Sequence, residues 1–400
     1  MFLQALPLLG VAPSLAASAP ATAAILQRGV AASRGLRISS MELIVVRATM
    51  RTTWLFVRLS TNQGLTGLGE ASLGRRTEFP ELEPFFELVR DESPFQIEQY
   101  RQRGWDRASS GDRVSATAFS ALEQAQWDLV GKALGAPVCD LFGGRLRDAL
   151  PVYANINRAT ANRMPDGFAA NARAAAEEEF DAIKAAPFDG FPALTQPATE
   201  VAAAADLGVA CVAAMREAVG PDVAIKIDAH SNFDVPLSID VARRLEPHRL
   251  SWYEEPIPPQ QVDDTKTIHD AIEQRMAGGE FLFGMEGFAP LCEQRAVDVV
   301  MPDVKHCGGL AEARRIAAVA DLYGVAVSPH NPSGPVATAA SVQLCAAMSN
   351  FDILEFQWGE VPWRGDLIDP PELFENGQIR VPDAPGFGVE LNEIVVREHA

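Results

Sequence analysis

The sequence predicts a barrel of the (β/α)8 type that follows a small antiparallel sheet. From about residue 150 onward, eight short apolar runs are separated by helix-like stretches, which is typical of parallel βα units. Eight such units close naturally into a barrel. The alternative is a doubly wound open sheet. It has little support as a dinucleotide-binding fold, because no GxGxxG pattern follows the first run.

The predicted barrel strands share an apolar body and, from the second strand onward, an ionisable residue near the end. They are PVYANI at 151–156, FDAIKAA at 180–186, VAIKIDA at 223–229, LSWYEEP at 250–256, FLFGMEG at 281–287, DVVMPD at 298–303, VAVSPH at 325–330 and DILEFQ at 352–357.

A different pattern precedes the barrel. Residues 41–49 and 53–59 alternate or are β-branched, and a turn signal at 61–64 leads to a third run at 65–69, so we expect an antiparallel meander. Residues 115–134 show helical periodicity, and Gly135 and Pro137 end that helix.

Composition limits the classes of function. The chain has 400 residues, is 48% hydrophobic and carries a net charge of -19, so nucleic acid and anionic membranes are poor partners. The five cysteines lack CxxC spacing, which indicates free thiols in a reducing compartment, and we expect a cytoplasmic protein. We also expect a homo-oligomer.

Four segments are expected along the chain: a leader or disordered extension at 1–40, an α+β unit at 41–150, the barrel at 151–364, and a tail at 365–400 that returns to the N-terminal unit. Met1 to Ala24 carries no charge and lacks the basic n-region of a secretory signal. Export is therefore only a minor possibility, although Ala17-Ser18-Ala19 resembles a cleavage site.

The strand-end residues predict a metal site. Asp228, Glu254 and Glu286 end three consecutive predicted strands, and catalytic residues of such barrels lie at this rim. Three carboxylates on adjacent strands would repel one another unless a cation lay between them. Oxygen-only ligands favour Mg²⁺ over zinc. The alternative is that these acids are solvated side chains at strand ends.

Other strand ends carry candidate acids and bases. His330 is a candidate general base, and Asp303 is placed to orient it. His230 is either a second acid/base or a group supporting the metal. Lys184 would help to neutralise an enediolate, and Glu355, if protonated, could donate a hydrogen bond to it.

Taken together, these motifs resemble the mandelate racemase subgroup of the enolase superfamily over about residues 41–391. The segments that carry the resemblance are GLTGLGEAS (64–72), ALEQAQWDLVGKALGAPVCDLFGG (121–144), KIDAH, WYEEP, GMEG, MPDVKHCGG, SPHNPSGP and PGFGVEL (385–391).

The resemblance implies a fold and a set of roles. The fold would be an α/β modified barrel, (β/α)7β, with an α+β capping domain formed by the N-terminal and C-terminal segments. Asp228, Glu254 and Glu286 would bind Mg²⁺, His330 and Asp303 would form the base pair, and Glu355 would be the acid that hydrogen-bonds the carboxylate of the substrate.

Two details indicate the reaction. Racemases of this subgroup carry Lys-x-Lys on the second strand, whereas this chain has Lys184-Ala185-Ala186. Asp228-x-His230 and the run at 329–340 resemble galactonate-type acid sugar dehydratases, in which this histidine assists loss of the 3-hydroxyl group. We therefore expect dehydration of a sugar acid to a 2-keto-3-deoxy acid. The alternatives are a racemase or epimerase, and a non-catalytic barrel that only binds a ligand.

The substrate would be a small carboxylate. Its contacts are expected in the N-terminal unit and in the loop after the first barrel strand. The candidates are Arg51, Trp54, Asn155 and Arg158.

Overall fold

The structure is a computed structural model that describes residues 35–110 and 112–400. Most of the predicted leader lies outside the described residues. The first strand begins at Ile38, so residues 38–40 belong to a sheet and not to the leader, which corrects that boundary.

The β-strands of the described residues are β1 Ile38–Arg47, β2 Thr53–Thr61, β3 Thr66–Glu70, β4 Ala149–Asn155, β5 Ala182–Ala185, β6 Ala224–Asp228, β7 Trp252–Glu254, β8 Met276–Gly278, β9 Val299–Val300, β10 Ala326–Val327, β11 Leu354–Gln357, β12 Ile368–Asp369, β13 Phe374–Glu375, β14 Gln378–Arg380 and β15 Glu390–Leu391.

The α-helices are α1 Leu82–Phe86, α2 Ile97–Ser110, α3 Arg113–Leu134, α4 Val138–Leu141, α5 Pro165–Glu177, α6 Ala198–Val219, α7 Val235–Leu245, α8 Val262–His269, α9 Gly284–Glu293, α10 Leu310–Leu322, α11 Pro335–Ala346 and α12 Glu393–Glu398. Two 3-10 helices lie at Glu246–His248 and Arg364–Leu367.

The predicted meander and helix are both present. Strands β1, β2 and β3 pair antiparallel in that order. Helix α3 begins at the cap residue Asp112, whose side chain accepts from two backbone amides, and ends at Gly135 with φ 68°. A Cβ at Gly69 would lie 2.0 Å from the Ala121 carbonyl oxygen, so glycine allows β3 to approach α3 closely. We call β1–β3 with α1–α3 the cap.

Strands β4 to β11 are the eight parallel strands, and seven helices, α5 to α11, connect them in order. β4 to β10 pair sequentially, and β11 pairs in parallel with β4. A parallel bridge from Val327 to Phe351 links the end of β10 to the residues just before β11. This order is consistent with a (β/α)7β barrel. Buried side chains including Tyr153, Trp252 and Met301 form a core cluster of residues from its strands.

The fifth predicted barrel strand, at 281–287, is wrong. The strand is β8, Met276–Gly278, and the apolar run begins helix α9 at Gly284, where φ is 67°. Hydrophobicity alone does not distinguish a buried strand from the buried face of a helix, and Phe288 and Leu291 are buried in such a face.

The tail contacts both the barrel and the cap. β14 pairs antiparallel with the start of β4, whereas β15 pairs with β12. Beyond β14, the Phe387 amide donates to Asp128 of α3 (2.7 Å), and Glu393 forms an ion pair with Arg58 of β2. The last residues therefore tie the end of the chain to the cap.

Of the described helices, only α6 is long and apolar enough to cross a membrane by length and composition. Its buried side chains include Cys211, Val212 and Met215, which belong to one of the main core clusters beside strands β4 to β6. In this fold α6 is therefore one of the helices that cover the barrel.

Candidate active site

Three buried carboxylates meet where neighbouring parallel strands end. Asp228 and Glu254 are the last residues of β6 and β7 and lie opposite each other in the register, and Glu280 follows β8 by two residues. Each of the three offers an oxygen atom within 4.8 Å of the others. Asp228 and Glu254 were predicted as metal ligands, and the structure places them in this group.

Glu286, the third predicted ligand, does not belong to this group, and Glu280 takes its place. Because β8 ends at Gly278, Glu286 lies in the first turn of α9, where its side chain is exposed. Two strand-like features misled the prediction: the apolar run at 281–287 and its acidic residue near the end.

The electrostatics of the three carboxylates favour a cation between them. Burial, and then the nearby Asp228 carboxylate, raise the pKa of Glu254 to about 8. Burial and the charges of Asp228 and Glu255 likewise raise the pKa of Glu280 well above its ordinary value. A divalent ion would relieve this repulsion, and an all-oxygen set of ligands suits magnesium.

Lys184 lies between the three-carboxylate cluster and Glu355 and contacts both. Its ammonium nitrogen lies 2.9 Å from Glu254 Oε1 and 3.1 Å from Glu355 Oε1. Burial lowers the pKa of Lys184, but the surrounding carboxylates outweigh this effect and raise it well above its ordinary value. The site therefore contains a buried ammonium group held between two carboxylates.

Glu355 is an acceptor in this structure. Its carboxylate accepts hydrogen bonds from the Asn155 amide group (2.5 Å) and from the Asn331 backbone amide (2.8 Å). Burial opposes ionisation, yet Lys184, His330 and these donors lower the pKa of Glu355. A protonated Glu355 that donates a hydrogen bond stays a prediction, and in this structure the neighbouring donors favour the ionised form.

His330 and Asp303 lie in contact, as predicted from their places after β10 and β9. Nδ1 of His330 lies 2.8 Å from Asp303 Oδ2, and Nε2 lies 3.1 Å from Glu280 Oε2. Burial lowers the pKa of His330. The pKa of Asp303 is also lowered, since Lys305, His306 and His330 outweigh the effect of burial. A neutral imidazole that donates from Nδ1 to Asp303 keeps Nε2 as the acceptor.

His230 has two carboxylate partners. Its Nε2 lies 3.0 Å from Asp228 Oδ2 and its Nδ1 lies 2.5 Å from Asp189 Oδ1. The negative charge of Asp228 is the main reason why the pKa of His230 is raised to about 12. Burial opposes this shift, and the hydrogen bond to Asp189 adds to it. His230 and Ser231 have positive φ values, 47° and 56°, so the chain turns sharply two residues after Asp228.

One cavity of about 600 Å³ is lined by Lys184, Asp228, His230, Glu280 and His330, and both the cap and the barrel contribute to its wall. The four residues predicted to bind substrate all line it: Arg51 and Trp54 from the cap, and Asn155 and Arg158 from the end of β4 and the loop after it. Arg158 forms an ion pair with Glu360 (3.1 Å). Arg51 has no carboxylate partner among the residues that the structure describes, although it lies in a highly acidic protein.

Two family models match this chain. Residues 38–143 match the mandelate racemase/muconate lactonizing enzyme N-terminal domain, and residues 167–395 match the enolase C-terminal domain-like family. The chain belongs to the enolase superfamily. Its mandelate racemase-type N-terminal domain corresponds to the cap, and its enolase-type C-terminal domain corresponds to most of the barrel and the tail.

Named relatives within the superfamily include acid sugar dehydratases. The chain is 34% identical to a D-gluconate dehydratase from Thermoproteus tenax, over 86% of this chain and 69% of the relative. It is 31% identical to a D-xylonate dehydratase from Haloferax volcanii, over 90% of each. A solved structure of an enolase superfamily member from Salmonella Typhimurium superimposes with a TM-score of 0.83 at 26% identity, covering 91% of this chain and 98% of the other.

Sequence reasoning missed three parts of this enolase-superfamily site. Glu280 was hidden by the wrong strand, although Gly278-Gly279-Glu280 is a turn that ends in an acid. Asp189 lies in the loop after β5, and nothing in its local sequence indicates contact with His230. Lys305 and His306 also line the cavity, where the His306 Nδ1 atom lies 2.7 Å from Thr117 of the cap.

Proposed function

We propose that this protein is a magnesium-dependent dehydratase of a sugar acid. The observation that carries the proposal is one cavity lined by Asp228 and Glu280, which cluster with the buried Glu254, and by two histidines, His330 and His230. The similarity to enzymes named gluconate and xylonate dehydratases supports the same reaction class. The reaction would remove the C2 proton and the C3 hydroxyl group as water and give a 2-keto-3-deoxy acid.

Asp228, Glu254 and Glu280 would hold the Mg²⁺ ion. When bound, the ion would act as a Lewis acid that stabilises negative charge on the carboxylate of the substrate as the C2 proton leaves. The buried, mutually repelling carboxylates and their oxygen-only chemistry fit this ion.

His330 would be the base that accepts the C2 proton. Its Nε2 atom is available for this role because Asp303 holds Nδ1, and burial keeps the free imidazole neutral. Asp303 would then stabilise the imidazolium that forms, since its carboxylate lies 2.8 Å from that ring. The two side chains act as a unit in this proposal.

His230 would protonate the departing C3 hydroxyl group. It lines the same cavity as His330, and its contact with Asp189 keeps a proton on the ring. The C–O bond at C3 would break with its electron pair taken by the hydroxyl group, which leaves as water after the proton transfer from His230. The enol that remains would tautomerise to the 2-keto acid.

Lys184 and Asn155 would stabilise the intermediate from the side of β4 and β5. Both contact Glu355, which fixes their donor groups at the floor of the cavity. A positioned ammonium group facing developing negative charge stabilises an enediolate more than it stabilises the substrate. Glu355 itself would act by orienting these donors.

The cap would select the substrate. Arg51 and Trp54 line the cavity from the cap and Arg158 lines it from the loop after β4, so together they would contact the hydroxyl groups and the far end of the sugar acid. We further propose a cytoplasmic enzyme that assembles as a homo-oligomer, in keeping with the free, buried cysteines and the acidic surface.

Racemisation or epimerisation is the competing function. Two histidines that line one cavity also suit removal of a proton by one and its return by the other. Dehydration is preferred because the Asp189 carboxylate at His230 Nδ1 favours a protonated ring, as an acid requires, and because Ala186 stands where a racemase of this subgroup would carry a lysine. A barrel that only binds a ligand would not need an intact carboxylate group.

A screen of five-carbon and six-carbon aldonic and aldaric acids with Mg²⁺ in deuterated water tests the proposal. Formation of a 2-keto-3-deoxy acid, detected as its semicarbazone and by NMR, is expected for at least one acid. The variant His330→Asn is the control for catalysis by contaminants. Incorporation of deuterium at C2 without keto acid would establish the racemase instead, and no reaction with any acid, while Mg²⁺ still binds, would refute the dehydratase.

A further inference from the structure

We propose that Glu70 and Arg364 are positioning residues that hold the His330 loop in place from outside the cavity. This loop, residues 330–334, joins β10 to α11. Asp303 orients the imidazole ring of His330, but the backbone that carries the ring is fixed by other groups. The inference rests on the proposed function, because it assigns these residues to placement of the proposed base.

Glu70, the last residue of β3 in the cap, is fully buried against the start of α11. Its two carboxylate oxygens accept from the backbone amides of Gly334 (2.7 Å) and Ala337 (2.9 Å). No side chain from its own segment caps α11, so a carboxylate from the cap satisfies these free amides. A Cβ at Gly334 would lie 2.9 Å from either oxygen, so any larger residue there would push the Glu70 carboxylate away from these amides.

Arg364, in the 3-10 helix Arg364–Leu367, binds the same loop through a backbone carbonyl group of the loop. Its guanidinium group donates to the Ser333 carbonyl (2.6 Å) and to Thr338 Oγ1 (2.9 Å). Glu372 of the tail anchors the guanidinium through two bonds of 2.9 Å each. The Arg364 side chain is almost fully buried, so the position of its charge is determined by these partners.

A continuous set of contacts leads from this pair to the reacting groups. Thr338 Oγ1, which Arg364 contacts, also accepts from Asn331 Nδ2 (3.0 Å). The Asn331 amide donates to Glu355 Oε2, and Asn331 directly follows His330. Loss of either charge would therefore free the loop at a point three or four residues from the base, without removing any group from the cavity.

The contact also couples the cap to the base. Ser72 lines the cavity and donates to Glu70 Oε1 (2.6 Å), while Glu70 binds the His330 loop. Trp54, another wall of the cavity, lies against the guanidinium of Arg364, 5.7 Å from ring centroid to Cζ. Correct seating of the cap and correct placement of His330 consequently depend on the same two buried charges.

Substitution of Glu70 by Gln tests the inference, with Glu123→Gln as the matched control. Glu123 is also a buried cap carboxylate that accepts from the first amides of a barrel helix, those of Leu310 and Ala311 in α10, but it does not contact the His330 loop. We expect E70Q to lower kcat by about 10- to 100-fold with KM changed less than about twofold, as for a displaced catalytic group, and E123Q to retain kcat.

Arg364 is tested by comparing Arg364→Lys with Arg364→Met. The lysine variant keeps a charge beside Glu372 and should recover part of the kcat that the methionine variant loses. Equal losses of kcat in E70Q and E123Q, or retention of kcat in E70Q, would overturn the positioning role.

Backbone amide hydrogen exchange of residues 331–337 provides a readout that needs no substrate. Exchange should accelerate in E70Q and in R364M and stay at the wild-type rate in E123Q. If the wild type dehydrates no acid, the proposed function fails while this measurement still decides whether Glu70 and Arg364 hold the loop. Unchanged exchange in E70Q and R364M would refute the inference.

Discussion

The Nδ1 atom of His330 lies 2.8 Å from Oδ2 of Asp303, and both side chains are buried at the end of adjacent strands. The pair is separated by 27 positions in sequence and depends on the parallel pairing of β9 with β10. Its chemical value lies in the Nε2 atom, which the contact with Asp303 leaves unprotonated and which lies 3.1 Å from Glu280 Oε2.

Substitution of Asp303 by Asn should lower kcat by about 10²- to 10⁴-fold, because the amide favours the wrong tautomer of His330. KM should change little, since Asp303 does not line the cavity. Steady-state dehydration kinetics provide the measurement, and Asp106→Asn, on the exposed face of α2, is the control. An unchanged kcat would show that Asp303 does not orient the base.

We expect substitutions of Glu280 and of Glu286 to have different effects on Mg²⁺ affinity. Glu280→Gln should weaken Mg²⁺ affinity by at least about tenfold, because it removes one of the three clustered carboxylates, whereas Glu286→Gln should not change it. Isothermal titration calorimetry with Mg²⁺ compares the two variants directly. The assignment of Glu280 is wrong if E286Q loses the metal and E280Q retains it.

His230→Asn should separate proton abstraction from elimination. If His230 protonates the leaving hydroxyl group, formation of the keto acid should fall by about 10²-fold or more while exchange of the C2 proton with deuterated solvent continues. NMR of a single reaction mixture measures both rates. Parallel loss of exchange and elimination would argue that His230 instead supports Asp228, with which it is also in contact.

Glu123 should make stability depend on pH. Burial raises its pKa from 4.5 to about 7 despite the opposing hydrogen bonds. Because the folded-state pKa is raised, the stabilisation is complete below pH 4.5 and is lost as the pH rises through about 7, by at most on the order of 3 kcal/mol. The free energy of unfolding of the wild type minus that of Glu123→Gln, measured by urea denaturation, should therefore fall across this range. A flat difference would contradict the raised pKa.

The sequence predicts the barrel well where each strand is followed by an ionisable residue and a helix. Asp228, Glu254, Asp303 and His330 were found in this way, because the carboxyl ends of parallel strands share one rim. The prediction of the fifth strand was wrong because the start of helix α9 is more apolar than strand β8. This helix begins eight residues after the first residue of β8. Local hydrophobicity does not report which segment pairs with its neighbours.

Other parts of the site depend on contacts that no local pattern encodes. Asp189 reaches His230 across 41 positions from a loop, and Glu70 reaches Gly334 across 264. The contacts of Glu355 were also not predicted, because its donors Lys184 and Asn155 became apparent only in three dimensions.

The cavity draws its proposed proton-transfer groups from the barrel and much of its wall from the cap. Arg51 and Trp54 belong to the cap. The three clustered carboxylates and the two histidines, His330 and His230, all come from the barrel. If Arg51 and Trp54 contact the substrate as proposed, a few substitutions in one short hairpin would change the acid that is consumed and leave the proposed proton-transfer groups unaltered. Relatives that act on different sugar acids would then differ mainly in the residues that the cap contributes to the cavity wall.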